Sequence, residues 1–241
     1  VAVGQYRNAY KVFRCAMMFA IVAGGTVALL IFLGADFIAS TVMQMDLSVY
    51  ALRVLAPCIF IVAVLGVMRG FFQGNGSMMP TALSQVLEEI VNAVASIIGA
   101  YVLLKIGKEL GETRGDASYG AAYAAAGGTV GTVAGAAFGL LTVMFVSSVY
   151  RRVFKKKLRR DRTKKKESYR RIYHILFLTI APVILSATVY NVSDFLDTAI
   201  FNNIMAAQGY QKTEYASFMG IFNSQYNTLV NVPLSVSSAL A

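Results

Sequence analysis

The stretch YRRVFKKKLRRDRTKKKESYRR, residues 150–171, holds 13 of the 22 basic residues of a 241-residue chain and is flanked on both sides by long apolar runs. Basic connectors between membrane spans stay on the cytoplasmic face. This segment therefore orients everything around it. Working outward, the chain is 57% hydrophobic and 14% charged, against about 25% charged in an ordinary soluble protein. Apolar runs of roughly 20 residues between short polar connectors predict an all-α, polytopic transmembrane helical bundle rather than a soluble helical core.

Six apolar segments can be drawn, at about Val12–Phe32, Val49–Gly70, Pro80–Leu104, Tyr119–Val149, Ile172–Ile200 and Tyr215–Ala241. The fourth and fifth exceed the ~20 residues that a crossing needs, so tilt or extension into the cytoplasm is expected. With 150–171 inside, the turn at 71–79 and the N-terminal QYRNAYKVFR also fall inside, while the connectors at 36–47, 107–118 and 201–213 fall outside. The outer connectors carry Lys108, Arg114 and Lys212 against Asp36, Asp46, Glu109, Glu112 and Asp116, in keeping with the positive-inside rule. The chain starts without Met and stops within an apolar run, as expected of a piece of a longer protein. The expected organisation is four spans of an N-terminal lobe (1–149), a basic cytoplasmic linker (150–171) and two spans that begin a C-terminal lobe (172–241).

Several function classes are disfavoured. Cys15 and Cys58 lie in apolar spans without paired spacing, and His174 has no second ligand at metal-binding spacing. No nucleophile–base pair is legible, so the expectation is a non-enzyme with neither metal nor cofactor. The basic connector lacks the platform and interleaved aromatics of a nucleic-acid site; a linker lying on anionic inner-leaflet lipid is the plainer account.

The polar residues inside the spans carry the functional signal. In TALSQVLEEIVNAVASIIGA, residues 81–100, Thr81, Ser84, Glu88, Asn92 and Ser96 follow steps of three and four onto one helix face, which Gln85, four from Thr81 and three from Glu88, shares, with Glu89 on its flank. Such a stripe must face the bundle interior or a water-filled cavity, although Gln85 and Asn92 could also serve only to bond neighbouring helices. In TVYNVSDFLDTAIFNN, residues 188–203, Thr188, Asn191, Asp194 and Thr198 keep helical spacing, and Asp197 lies a turn from Asp194. Two carboxylates a turn apart could bind Na+ or share a proton, or one could pair with an arginine elsewhere. Pro182 can kink that span, and NSQYNT (223–228) with Pro233 forms a further polar stretch with a possible helix break. Gly127, Gly131, Gly135 and Gly139 recur every four residues, a small-xxx-small ridge for close helix packing. Polar stripes, kinked helices and clustered carboxylates together point to a transporter.

RGFFQG (69–74) followed by MMPTALSQVLEE (78–89) resembles a block of the bacterial polysaccharide biosynthesis transporters of the MATE/MOP superfamily. The nearest branch is that of stage V sporulation protein B and the MurJ-like lipid II flippases. LRVLAP (52–57), Asp197 and NVPLSVSSALA (231–241) are similar to other segments of that family. Where the family often carries Gln and then Arg after the Glu of this block, the chain has Glu89 and Asn92.

The resemblance implies spans corresponding to the third to eighth helices of a two-lobe transporter in the bacterial cytoplasmic membrane. Its cargo would be an undecaprenyl-linked glycan precursor, flipped by alternating access. Arg53, Arg69, Gln85, Glu88, Glu89, Asn92 and Asn191 are the cavity candidates, with Asp194 and Asp197 as candidates for ion coupling. The alternatives are a cation-coupled multidrug exporter of the same superfamily, which an acidic cavity would suit, and a non-transporting scaffold for wall synthesis.

Overall fold

The computed structural model describes residues 5–161 and 167–233. The described chain is helical, without strands. Helices α1 (Tyr6–Phe37), α2 (Val49–Gly74), α3 (Met79–Arg114), α4 (Ser118–Arg160) and α5 (Tyr169–Ala207) are followed by the short α6 (Lys212–Ile221). The first five are each long and apolar enough to cross a membrane. Beyond α6 the chain passes through a π-helical turn, Phe222–Asn227, and stays helical to Pro233. The rest of the expected sixth span, residues 234–241, lies outside the described residues, as do Arg162 and Lys164–Lys166 of the basic connector.

Turn chemistry places the boundaries. Gly76 and Gly115 take φ of +78° and +72°, a region open to glycine at little cost. Pro80 stands in the first turn of α3, where its missing N–H costs nothing. Gln211 and Glu214 form a reciprocal capping box at the start of α6. Helix α4 has 43 residues, about 64 Å at 1.5 Å per residue, twice the ~30 Å hydrocarbon core. Part of the excess, about 15 Å, is the basic run: α4 continues through RRVFKKKLRR, so the helix extends well into the expected linker.

The chain divides into two compact units, one holding the residues up to Ala35 with Leu47–Leu185, the other Asp36–Asp46 with Ser186 onward.

In the first unit, α3 and α4 form an antiparallel hairpin at glycine-close range. A Cβ on Gly127 would lie 2.2 Å from the Gly99 carbonyl oxygen, and one on Gly131 would lie 2.3 Å from the Ser96 nitrogen. Leu65 and Phe72 of α2 and Val143 of α4 make the apolar core, with Met68, Leu140, Val146 and Tyr150 packed on it. Gly24 of α1 admits Ala63 of α2. At one end of this unit, Phe13, Phe71 and Phe154 join α1, α2 and α4, with ring centroids 4.7 Å (Phe13–Phe71) and 5.1 Å (Phe71–Phe154) apart, within the range of favourable aromatic contact. The connector is tied down beside them. The backbone N–H of Arg7 donates to Asp161 at 2.7 Å, and Lys11 Nζ donates to the Glu167 carbonyl at 3.0 Å.

In the second unit, a π-helical turn at Ile38–Val42 carries α1 into the connector that leads to α2. That connector packs against the end of α5 and the start of α6 through Asn202, Asn203 and Tyr215.

Candidate functional site

The polar stripe of α3 and the glycine ridge of α4 are two sides of one interface. Ser96 Oγ donates to the Gly128 carbonyl at 2.9 Å and lies 3.1 Å from Asn92 Oδ1. A Cβ on Gly135 would meet Asn92 Cβ at 2.9 Å, and one on Gly139 would meet Glu88 Oε2 at 2.9 Å. The ridge is thus a close-packing surface. The missing side chains are what let polar groups of α3 reach the backbone of α4.

Arg69 of α2 completes this arrangement. Its Nε donates to Ser84 Oγ at 2.9 Å, and a terminal guanidinium nitrogen meets Glu88 Oε2 at 2.5 Å. The two side chains are only 15% and 19% exposed. A charge in this setting is costly unless paired and hydrogen-bonded, and each is the other's partner. Ser84 is fully buried, and its Oγ donates a hydrogen bond to the Thr81 carbonyl at 2.8 Å. Arg69, Ser84 and Glu88 therefore form a polar clamp across α2, α3 and α4, with Gly139 providing the room. Ser84 and Gly139 were not among the expected site residues. The signal for Ser84 was its place in the stripe, but nothing in the sequence marks Gly139 as the position facing the ion pair.

The remaining candidates of the first unit divide between contact and exposure. Asn92 is half-buried beside Gly135, whereas Gln85 and Glu89 are exposed, one turn apart on the outer side of α3. Arg53 is exposed near the start of α2. In the second unit Asn191, Asp194 and Asp197 are all exposed along α5. Asn191 Nδ2 donates back to the Ala187 carbonyl at 2.7 Å, and Thr198 Oγ1 to that of Asp194 at 2.9 Å. Glu89, Asp194 and Asp197 have no ion-pair partner among the described residues, and no group of three or more metal-ligating side chains occurs there. Long helices with polar clusters held inside apolar spans define a multi-pass membrane protein.

The chain matches the family described as polysaccharide biosynthesis protein over residues 2–241 and belongs to it. It is 25% identical to "Lipid II flippase MurJ" of Bacillus subtilis (strain 168) over 245 residues, covering 98% of this chain and 43% of that relative. It is 40% identical to "Stage V sporulation protein B" of the same organism over 57 residues, 24% of this chain and 11% of the relative. The chain thus spans less than half the length of the curated relatives it matches. No solved structure matches it. The resemblance carried by the RGFFQG…PTALSQVLEE block is borne out, and the chain is a multi-pass protein of the bacterial cytoplasmic membrane.

Proposed function

We propose that the chain is part of a flippase that moves a lipid-linked cell-wall precursor across the cytoplasmic membrane by alternating access, as a transporter and not an enzyme. The supporting observation is the set of polar side chains left exposed within membrane spans: Gln85 and Glu89 on α3, and Asn191, Asp194 and Asp197 on α5. Facing hydrocarbon, such groups are costly; facing a hydrated path for a glycan headgroup, they are solvated and available for hydrogen bonding. The name carried by the first relative, a lipid II flippase, agrees in substrate class.

In this reading the earlier candidates take three roles. Arg69 and Glu88, satisfied by one another, hold α2–α4 as a rigid body. Gln85, Glu89, Asn191 and Arg53 offer polar contacts to the headgroup, while Asn92 belongs to the α3–α4 packing. Asp194 and Asp197 are the groups that would take up Na+ or H+ if the cycle is ion-coupled. The division into two lobes joined by the basic connector, and the lodging of that connector on anionic lipid, belong to the same proposal. A second reading, a cation-coupled multidrug exporter, draws on the acidic character of Glu89, Asp194 and Asp197, which suits cationic cargo.

The test uses the full-length protein in proteoliposomes with fluorescent lipid II, following exposure of the headgroup to an external quencher. Exposure faster than in protein-free liposomes and lost in Glu89→Gln or Asp197→Asn supports the flippase. No exposure under any imposed ion gradient, with a cationic dye moving instead, rejects it in favour of the exporter.

A further inference from the structure

We propose that the contact between the 42–46 connector and the α5–α6 corner is the outer gate of the transport cycle, closed in the state described here; this rests on the alternating-access reading above. Three successive carbonyls of the connector are held by side chains from the far part of the chain. Asn203 Nδ2 donates to the Val42 carbonyl at 3.3 Å, Asn202 Nδ2 to that of Met43 at 3.1 Å, and Tyr215 Oη to that of Gln44 at 3.0 Å. Outside them Lys212 pairs with Asp46. Asn202 and Tyr215 are 0% and 1% exposed, and Ala39, whose carbonyl accepts from the Met45 N–H at 2.8 Å, is also fully buried. The result is a sealed centre under a solvated ion-pair rim, formed by two connectors that the charge pattern places on the outer face.

Opening this contact costs little, and two features distinguish it from permanent packing such as the α3–α4 hairpin. Its polar bonds run to backbone carbonyls, which water can satisfy when the connector leaves, so opening loses few hydrogen bonds. It already holds unfavourable elements: Gln44 sits at φ +53°, uncommon for a residue with a Cβ, and Asn202 Oδ1 is buried without a partner among the described residues. Both are relieved by opening. It is also bracketed by π-helical turns at Ile38–Val42 and Phe222–Asn227, a helix defect frequent at functional sites and able to absorb rotation.

The experiment places cysteines at Asp46 and Lys212 of the full-length protein in proteoliposomes. Cross-linked peptide is identified by mass spectrometry, and lipid II exposure is followed in the same sample. The expected result is a cross-link between positions 46 and 212, a fall of at least tenfold in transport on oxidation, and recovery on reduction, with oxidised wild type unaffected. Cross-linked protein that transports at the reduced rate overturns the gate and leaves the flippase standing. Failure of the pair to cross-link overturns the contact itself. A reduced pair and a wild type that both leave lipid II unmoved overturn the flippase reading, and the gate with it, even where the cross-link forms.

Discussion

Placing a single methyl group at Gly131 should part the α3–α4 hairpin. The added Cβ would lie 2.1 Å from Ser96 Oγ, 2.3 Å from its nitrogen and 2.6 Å from its Cα. The hydroxyl can rotate away, but the backbone atoms cannot, so the helices must separate by roughly 1 Å to reach ordinary contact distance. Overpacking of this kind costs about 1–3 kcal/mol. Loss of the Ser96–Gly128 hydrogen bond adds about 0.6 kcal/mol within a membrane. The helix propensity of alanine returns at most about 1 kcal/mol. Gly131→Ala is therefore expected to destabilise by about 1–3 kcal/mol, or roughly five- to 150-fold in the unfolding equilibrium.

The control is Gly128, which adjoins Gly127 but lies off the ridge. A Cβ on Gly128 would meet nothing within 4 Å, so Gly128→Ala should be neutral or slightly stabilising. Reversible unfolding in mixed detergent micelles, titrated with SDS, reads both. Equal midpoints for the two variants would refute the ridge as a contact surface.

Other expectations follow from the same geometry. In a double-mutant cycle on Arg69→Ala and Glu88→Ala, the coupling energy should be about 1–3 kcal/mol, each single change costing more than half the double because it strands a partly buried charge; additive singles would remove the clamp. Tyr215→Phe should cost about 1 kcal/mol through loss of its bond to the Gln44 carbonyl, whereas Lys212→Ala at the 58%-exposed rim should cost less than about 1 kcal/mol, both measured by the same unfolding. The Ser118 backbone N–H, donating at 2.9 Å, lowers the pKa of Asp116 below its usual 3.8. A depressed carboxylate stabilises above its unfolded pKa and loses that contribution as pH falls through the folded value. The stability difference between wild type and Asp116→Asn should therefore be constant from neutral pH to about 5, then shrink below 3.8; a difference independent of pH would show that the turn does not use the charge.

How much of this was legible in advance differs by feature. The helices were, and their ends were extended by turn chemistry: α3 runs on to the Gly115 cap and α4 through the basic run to Arg160, because nothing in KKKLRR breaks a helix once it leaves the bilayer. The stripe on α3 was legible as a face, but it divides in two. Ser84, Glu88, Asn92 and Ser96 turn to α4 or α2, while Gln85 stays exposed with Glu89, since a stripe spanning a third of a helix is wider than one contact. Asn202 and Asn203 stand at the end of the polar run on α5, and only their reach to the Met43 and Val42 carbonyls gives them a role.

Membrane insertion and the glycine ridge were determined by the sequence alone, and the expected orientation rests on it. The free energy of transferring each side chain into lipid is a local quantity that sums along a segment, and the bias of Lys and Arg needs no folded partner. What only the tertiary structure decided is the pairing of faces. It set the ridge against the polar stripe, Arg69 against Glu88, and the Gln44 carbonyl against Tyr215. Those energies belong to two distant residues at once, and they exist only after the helices have docked.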